Sequence, residues 1–462
     1  MRRAILALVA VGLLGAAWAL PATAQTFPGT TVETPRIEHL VVIVEENSTF
    51  DHIFGWLPTA DGHPPDVPVS QGDRSVKMRG FSTLGPGTFD VNPGQEVLSN
   101  GPTAARQAFD HGQMDGFYRA QLAAGKNPNL SFTVIDPPAD PPWGIFAQQG
   151  VVFDRYFSSA MAGSLPNTLN LVAGTTGGLD VGASADFRSL WNSHIHTIFD
   201  AANKVPDVTW RYYVGGLGQI EEKKVADGAY ARSGEATPSQ LYWAPVLSMK
   251  RFWDDPALAI NIRTQNELFA DAAAGDLPNI SYILPQPTSH EPQVEAPDLR
   301  ALSVINAIRT SPDWPNTAIL VTWDDWGGYY DHVKPPVAGD GTQLGFRVPM
   351  ILLSPWALPN AVSSQRLDHS SIPAFAASLF DLPGNWSPHT NQIRQVWTAT
   401  PNDAAQITSL QHEPPYAAAG MQHASSVFVL YLMTLVVITG VLFALGVTFR
   451  AARPGEGDRP QP

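Results

Sequence analysis

The chain has 462 residues, enough to bury a large core in one elaborated α/β domain or in two domains. Lysine and arginine number 28 against 42 aspartates and glutamates, which excludes a general basic footprint for nucleic acid. The absence of cysteine excludes disulfides, thiolate nucleophiles and cysteine-ligated zinc, so any metal must be held by oxygen and nitrogen.

At the amino end, Arg2 and Arg3 precede an apolar run from Ala4 to Leu20, and Ala22-Thr23-Ala24 supplies small residues for cleavage. Residues 1–24 therefore read as a secretory signal, with the exported domain expected over 25–415. An extended leader, Thr26 to Pro35, is followed by IEHLVVIV over Ile37 to Val44, a first core strand that runs directly into Glu45, Glu46 and Asn47. Leu57 to Asn100 is rich in Gly, Pro, Asp and Ser and reads as a long ordered loop over the sheet.

Thr103 to Leu122 has a helical pattern interrupted at Gly112 to Phe117, with Phe117, Tyr118, Ala120 and Leu122 as packing residues. Gly150 to Phe153 gives a short strand. Ser164, after Gly163 and just before Pro166, then stands at the entrance of a helix. There the backbone N–H groups and the helix dipole favour an incoming anion. A hydroxyl that merely caps the helix is the alternative, and it wins unless a base or a metal lies nearby.

His194 and His196 would share one face of a strand but not of a helix, and the sequence leaves them open. Pro206 to Gly215 and Asn279 to Leu284 are further strands, separated by an insertion at Glu221 to Arg251, and His290 lies just past the second strand. Leu299 to Arg309 is an amphipathic helix.

The chain then reaches AILVT, a buried strand over Ala318 to Thr322, which stops at Asp324 and Asp325. Gly327 and Gly328 permit a close turn, after which Tyr329, Tyr330, Asp331 and His332 offer another acid and an imidazole. In an open α/β sheet the carboxyl edge of the strands faces the ligand crevice, so two carboxylates there can hold a hard divalent cation. Alone, a solvated acidic turn explains this segment equally well. The same pattern at Glu45, Glu46 and Asn47 makes the pair far more specific than either half, provided the two strands are close in one sheet.

Val348 to Ser354 is the last core strand, and Asp368-His369-Ser370-Ser371 opens a helix running to about Leu379, with Asp368 as its cap or a ligand, the cap being favoured on this segment alone. After a linker at 416–426, Val427 to Phe449 carries no charge and is long enough to cross roughly 30 Å of hydrocarbon. Arg450 and Arg453 follow at once, which places the tail, 450–462, in the cytoplasm and the large domain outside the cell membrane.

Several of these segments together resemble the bacterial phosphoesterase family of phospholipases C and certain acid phosphatases, within the alkaline-phosphatase-like superfamily. They are IEHLVVIVEENSTFDHIFG (Ile37 to Gly55), GQMDGF (Gly112 to Phe117), Asp154 to Asn167, DDWGGYYDHV (Asp324 to Val333), Arg347 to Trp356, and Asp368-His369-Ser370-Ser371. The resemblance implies an α/β/α sandwich with a mostly parallel central sheet. It also implies a divalent cation of unspecified identity held by Glu46, Asn47, Asp324 and Asp325, and Ser164 as nucleophile. His290 and His332 are the candidate acids for the leaving group.

The implied reaction is metal-dependent phosphoester hydrolysis of the phospholipase C type, with phospholipid among the candidate substrates. An acid phosphatase acting on phosphomonoesters, or a binding protein that keeps the fold without turnover, are the alternatives. Four positions depart from the family. Asp325 stands where a longer glutamate is usual, Ser48 and Thr168 replace arginines, and Asn100 falls at the place of a histidine.

Overall fold

The computed structural model describes residues 35–81, 97–135, 141–179, 187–215, 222–224, 230–232, 243–284 and 297–402, all within one compact unit, Met1–Ser409. The signal at 1–24, the linker at 416–426, the apolar span at 427–449, the tail at 450–462 and His290 lie outside the described residues. Among the described residues no helix is long and apolar enough to cross a membrane.

Eight strands form the central sheet: β1 (His39–Glu45), β2 (Val151–Phe153), β3 (Trp210–Val214), β4 (Ile262–Thr264), β5 (Ile280–Leu284), β6 (Thr317–Trp323), β7 (Met350–Leu353) and β8 (Ala361–Ser363). Their order is β4-β3-β5-β1-β6-β7-β2-β8, so β1 and β6 are central neighbours. All adjacent pairs are parallel except β6 with β7 and β7 with β2. The mixed α/β fold with a large, mostly parallel sheet thus follows from continuous apolar strands covered on both faces.

Leu40, Val41, Val42, Ile43 and Val44 are all buried, and so is every residue of β6. Burying each such side chain contributes roughly 1.5–3 kcal/mol. This tightly packed centre sets the register that matters for function. Glu45 lies opposite Trp323, and the Asp324 amide continues the ladder to the Glu45 carbonyl at 2.9 Å. In a parallel ladder that register makes Glu46 and Asp324 leave the sheet side by side, at the carboxyl edge of both strands.

Three features depart from the sequence expectations. The stretch Leu57 to Asn100 is not all loop. Pro68–Gln71 and Arg74–Lys77 pair as a hairpin across Gly72, at φ +65°, and Arg79–Phe81 pairs with Thr133–Ile135. The alternation of exposed and buried residues along Pro68–Gln71 is the strand signal hidden by the Gly- and Asp-rich composition. Leu122 is exposed rather than packed, at the end of a helix, Phe117–Ala123, whose core contacts are Phe117 and Ala120. The short edge strands β4 and β8, of three residues each, are too brief for hydrophobic periodicity to reveal.

Candidate active site

The two acidic segments meet through their backbones as well as their side chains. The Asn47 amide donates to Asp324 Oδ1 at 2.9 Å, and the Ser48 amide donates to the Asp325 carbonyl at 2.9 Å. Asn47 adopts φ +64°, a left-handed conformation that asparagine tolerates better than most residues. Gly327, at φ +62°, passes so close that a Cβ there would lie 2.3 Å from the Asn47 carbonyl oxygen. The glycine turn therefore lets the β6 segment fold back against the β1 segment, which fixes the separation of the acids.

Around this contact, Asn47 Nδ2 donates to Glu46 Oε2 at 3.3 Å, and Asp325 Oδ1 accepts from the Gly327 amide at 2.8 Å. Asp324 and Asp325 are fully buried, while Glu46 and Asn47 are half-buried. Burial, then the charges of Asp324 and Asp325, push the Glu46 carboxyl well above the usual carboxylate range. Asp325 is pushed well up by burial and by Asp324, and burial also raises Asp324. Glu46 Oε1 and Asp324 Oδ2 are buried with no hydrogen-bond partner. Repelling carboxylates with orphaned oxygens are costly unless a cation compensates them. Arg300 is close enough to lower Glu46, but its Nη2 is engaged by Glu45 at 2.6 and 2.7 Å. The residues present thus fit a hard divalent cation held by oxygen donors.

Ser164 opens α1 (Ser164–Ala173), the helix after β2. The N-cap is Gly163, so Ser164 is the first helical residue, and its hydroxyl donates to Asp325 Oδ2 at 3.3 Å. The turn before it is held by Asn167, which is fully buried. Its side-chain oxygen accepts from the Ala160 amide, and its Nδ2 donates to the carbonyls of Ala160, Ala162 and Gly163 at 3.1–3.2 Å. Sequence reasoning gave Asn167 no role. Its signal was an amide in the first turn of a helix, among Leu165, Pro166 and Leu169.

Thr168 donates its hydroxyl to the Ser164 and Leu165 carbonyls. Asp368 does more than cap a helix. It accepts from Ser159 at 2.5 Å, from Ser370 and Thr390 at 2.8 Å, and pairs with His389 at 3.1 Å, tying the chain before Ser164 to the last helix among the described residues, α2 (Ser371–Leu379), whose N-cap is Ser370.

The structure does not bring His332 into this group. Its Nδ1 is 2.7 Å from Asp51 Oδ2 and its Nε2 is 3.2 Å from Asp61 Oδ1. Burial lowers its pKa, but the Asp51 hydrogen bond and the charges of Asp51 and Asp331 outweigh this and push it up to about 9. Both ring nitrogens are spent on carboxylates, which removes the basis for its expected role as an acid for the leaving group.

Asp51, Asp331 and His332 cluster closely enough to suggest a second metal site. Arg347 already provides the positive charge there. It is fully buried and meets Asp51 Oδ1 at 3.0 Å and Asp331 Oδ1 at 2.9 Å. Sequence reasoning missed this arginine as a structural centre, although an arginine between Phe346 and Val348 in an apolar stretch signals a buried, paired charge.

A model of the Phosphoesterase family matches residues 37–383. Non-specific phospholipase C6 of Arabidopsis thaliana is 28% identical over 79% of this chain and 72% of its own length. Phospholipase C A of Mycobacterium tuberculosis is 25% identical over 79% of this chain and 77% of its own. Non-hemolytic phospholipase C of Pseudomonas aeruginosa is 25% identical over 82% of this chain but 58% of its own. Among solved structures, a protein in the alkaline phosphatase superfamily from Vibrio parahaemolyticus covers 79% of this chain and 71% of that one. It is 10% identical with a TM-score of 0.36, a likeness too weak to carry weight. On the span of the family match, the chain belongs to the phosphoesterase family and is a phosphoric ester hydrolase.

Proposed function

We propose that the chain hydrolyses phosphoesters by a phospholipase C-like reaction, with Ser164 as nucleophile beside a divalent cation held by Glu46, Asn47, Asp324 and Asp325. The observation that carries this reading is the hydrogen bond from the Ser164 hydroxyl to a carboxylate of the ligand group, Asp325, at 3.3 Å. A bound cation would lower the pKa of that hydroxyl and offset charge on the phosphoryl oxygens.

Asp325 Oδ2 accepts from Ser164 and so orients Oγ. Asn167 fixes the turn that presents it. The first-turn amides of α1 add partial positive charge where the phosphoryl group arrives. Attack forms the Oγ–P bond as the Ser164 hydroxyl gives up its proton along its hydrogen bond to Asp325 Oδ2 and the bond from phosphorus to the alcohol oxygen breaks, the departing alcohol taking up a proton. Water then cleaves the phosphoryl–serine bond, releasing the phosphoryl group with its headgroup still attached. His290 is assigned to supply the proton taken up by the departing alcohol. Its support is that β5, the strand before it, lies next to β1 and parallel to it, so both chains leave at the edge that carries Glu46.

With Thr168 bonded to backbone carbonyls, the family's arginine has no counterpart at that position. Neutralising phosphate charge then falls more heavily on the cation. The named phospholipases C among the relatives favour a diester with a lipid alcohol over a phosphomonoester. We place this domain outside the cell, held to the membrane by residues 427–449. The uncharged run and the arginines after it support that placement, and protease accessibility of the domain on intact cells tests it.

Activity on phosphatidylcholine and on a chromogenic phosphomonoester, each before and after exhaustive chelation and with divalent ions restored, tests the function. Loss on chelation, recovery with one ion and preference for the lipid are expected. Undiminished activity after chelation overturns the cation assignment. Folded protein inactive on every ester with every ion favours the binding-protein alternative.

A further inference from the structure

Asn100, which the resemblance sets at the approximate place of a family histidine, lies with its side chain against two of the four residues assigned to the cation. Asn100 Nδ2 donates to Asn47 Oδ1 at 2.6 Å and to Asp325 Oδ1 and Oδ2 at 3.1 and 3.2 Å. Asn47 follows β1 and Asp325 follows β6, so one amide spans both strands.

The segment presenting it is itself fixed. The Ser99 amide and carbonyl bond the fully buried Gln121 side chain, both at 2.8 Å, and Trp326 Nε1 donates to the Asn100 carbonyl at 2.8 Å. Leu98 and Ser99 also pack on the glycine turn, where a Cβ on Gly328 would fall 2.5 Å from Leu98 Cβ. Asn100 is thus held by the residue directly after Asp325 and by the turn that follows.

We infer that Asn100 is a positioning residue for cation loading, a neutral clamp that holds Asn47 and Asp325 at their binding separation before the ion arrives. The inference rests on the cation site proposed above. Its chemistry is specific to an amide. A primary amide nitrogen carries two hydrogens and can serve both ligands at once, whereas each nitrogen of a neutral imidazole offers at most one. The clamp leaves room for the ion. Asn47 Oδ1 has a second lone pair for a cation, and at Asp325, where one Asn100 hydrogen is shared between Oδ1 and Oδ2, a cation would take the place of the Ser164 hydrogen on Oδ2. An uncharged donor also bridges without adding a positive charge that would compete with the ion. Outer partners that orient ligands in this way commonly change metal affinity by roughly 10- to 100-fold when removed.

The test is calorimetric titration of the metal-free full chain with Mg²⁺, Ca²⁺, Mn²⁺ and Zn²⁺, compared with Asn100→Ala and Asn100→His, alongside melting of each metal-free form. The alanine variant should bind the preferred ion about 10- to 100-fold more weakly. The histidine variant should fall between, and both metal-free forms should melt close to the unsubstituted protein. Equal affinity in the alanine variant overturns the clamp while leaving the cation site standing. Weakened binding matched by lowered melting in both variants overturns it in favour of a structural role. If the unsubstituted chain binds none of the four ions, the cation site falls and the clamp with it.

Discussion

Arg347→Met removes the only guanidinium paired with Asp51 and Asp331 among the described residues, while keeping most of the apolar stem. The arginine is fully buried, donates to both carboxylates at 2.9–3.0 Å, and also donates to the carbonyls of Asp61 and Asp154 at 2.7 and 2.9 Å. Breaking a buried pair from one side leaves uncompensated charge and costs about 3–5 kcal/mol. The loss depends on pH with a definite sign. Burial, with Arg347 opposing it, pushes the Asp331 carboxyl up to about 6. An unfolded aspartate titrates near 4, so between about 4 and 6 the folded state holds a proton that the unfolded chain has released. Stability therefore falls as pH rises through that window. Without Arg347 the Asp331 carboxyl rises further, so the deficit should grow from pH 4.5 towards ~3–5 kcal/mol near pH 7.5. The part owed to Asp51, which against burial Arg347 helps hold below the usual carboxylate range, is present at both. Denaturant unfolding followed by tryptophan fluorescence at both pH values measures it. A variant within about 1 kcal/mol of the parent at neutral pH, or a deficit unchanged on acidification, would refute the reasoning.

His332, pushed up to about 9, contributes stability that is complete below about pH 6.5 and lost as pH rises through about 9. His332→Gln should flatten unfolding stability across that window, and a retained slope assigns it to another group. Gly327→Ala drives a Cβ to 2.3 Å from the Asn47 carbonyl and strains a φ of +62°, so it should weaken cation binding and activity together; parental values for both would show that the turn adapts. Arg300→Met leaves Glu45 buried beside Asp324 without its 2.6 Å partner, at a cost of about 3–5 kcal/mol in denaturant unfolding, and Glu45→Gln in the same chain should recover much of it.

The sequence carried the parts of this architecture whose signals are local. The strands that became β1, β5, β6 and β7 are largely apolar runs, and the acids that end β1 and β6 stand out because the same pattern recurs at both strand ends. What brings them together is the register that sets Glu45 opposite Trp323, a long-range fact that no single segment encodes. His332 was misread for the same reason: beside Asp324 and Asp325 in sequence, it is carried by the glycine turn to Asp51, Asp61 and Arg347. The antiparallel placement of β7 was equally hidden, because its buried residues read alike in either direction. Asn100 was visible only as a departure from a family pattern. Its hydrogen bonds to Asn47 and Asp325 gave that departure a physical meaning.

The most direct test of the account is whether phosphate becomes attached to Ser164 during turnover. Rapid acid quench of the active enzyme with substrate, followed by peptide mass analysis, should show a phosphoryl adduct at that residue, phosphocholine-bearing serine with phosphatidylcholine or phosphoserine with a phosphomonoester. Ser164→Ala should lose turnover by at least about a thousandfold and carry no label. Phosphate on another residue, or steady turnover by the alanine variant, would contradict it.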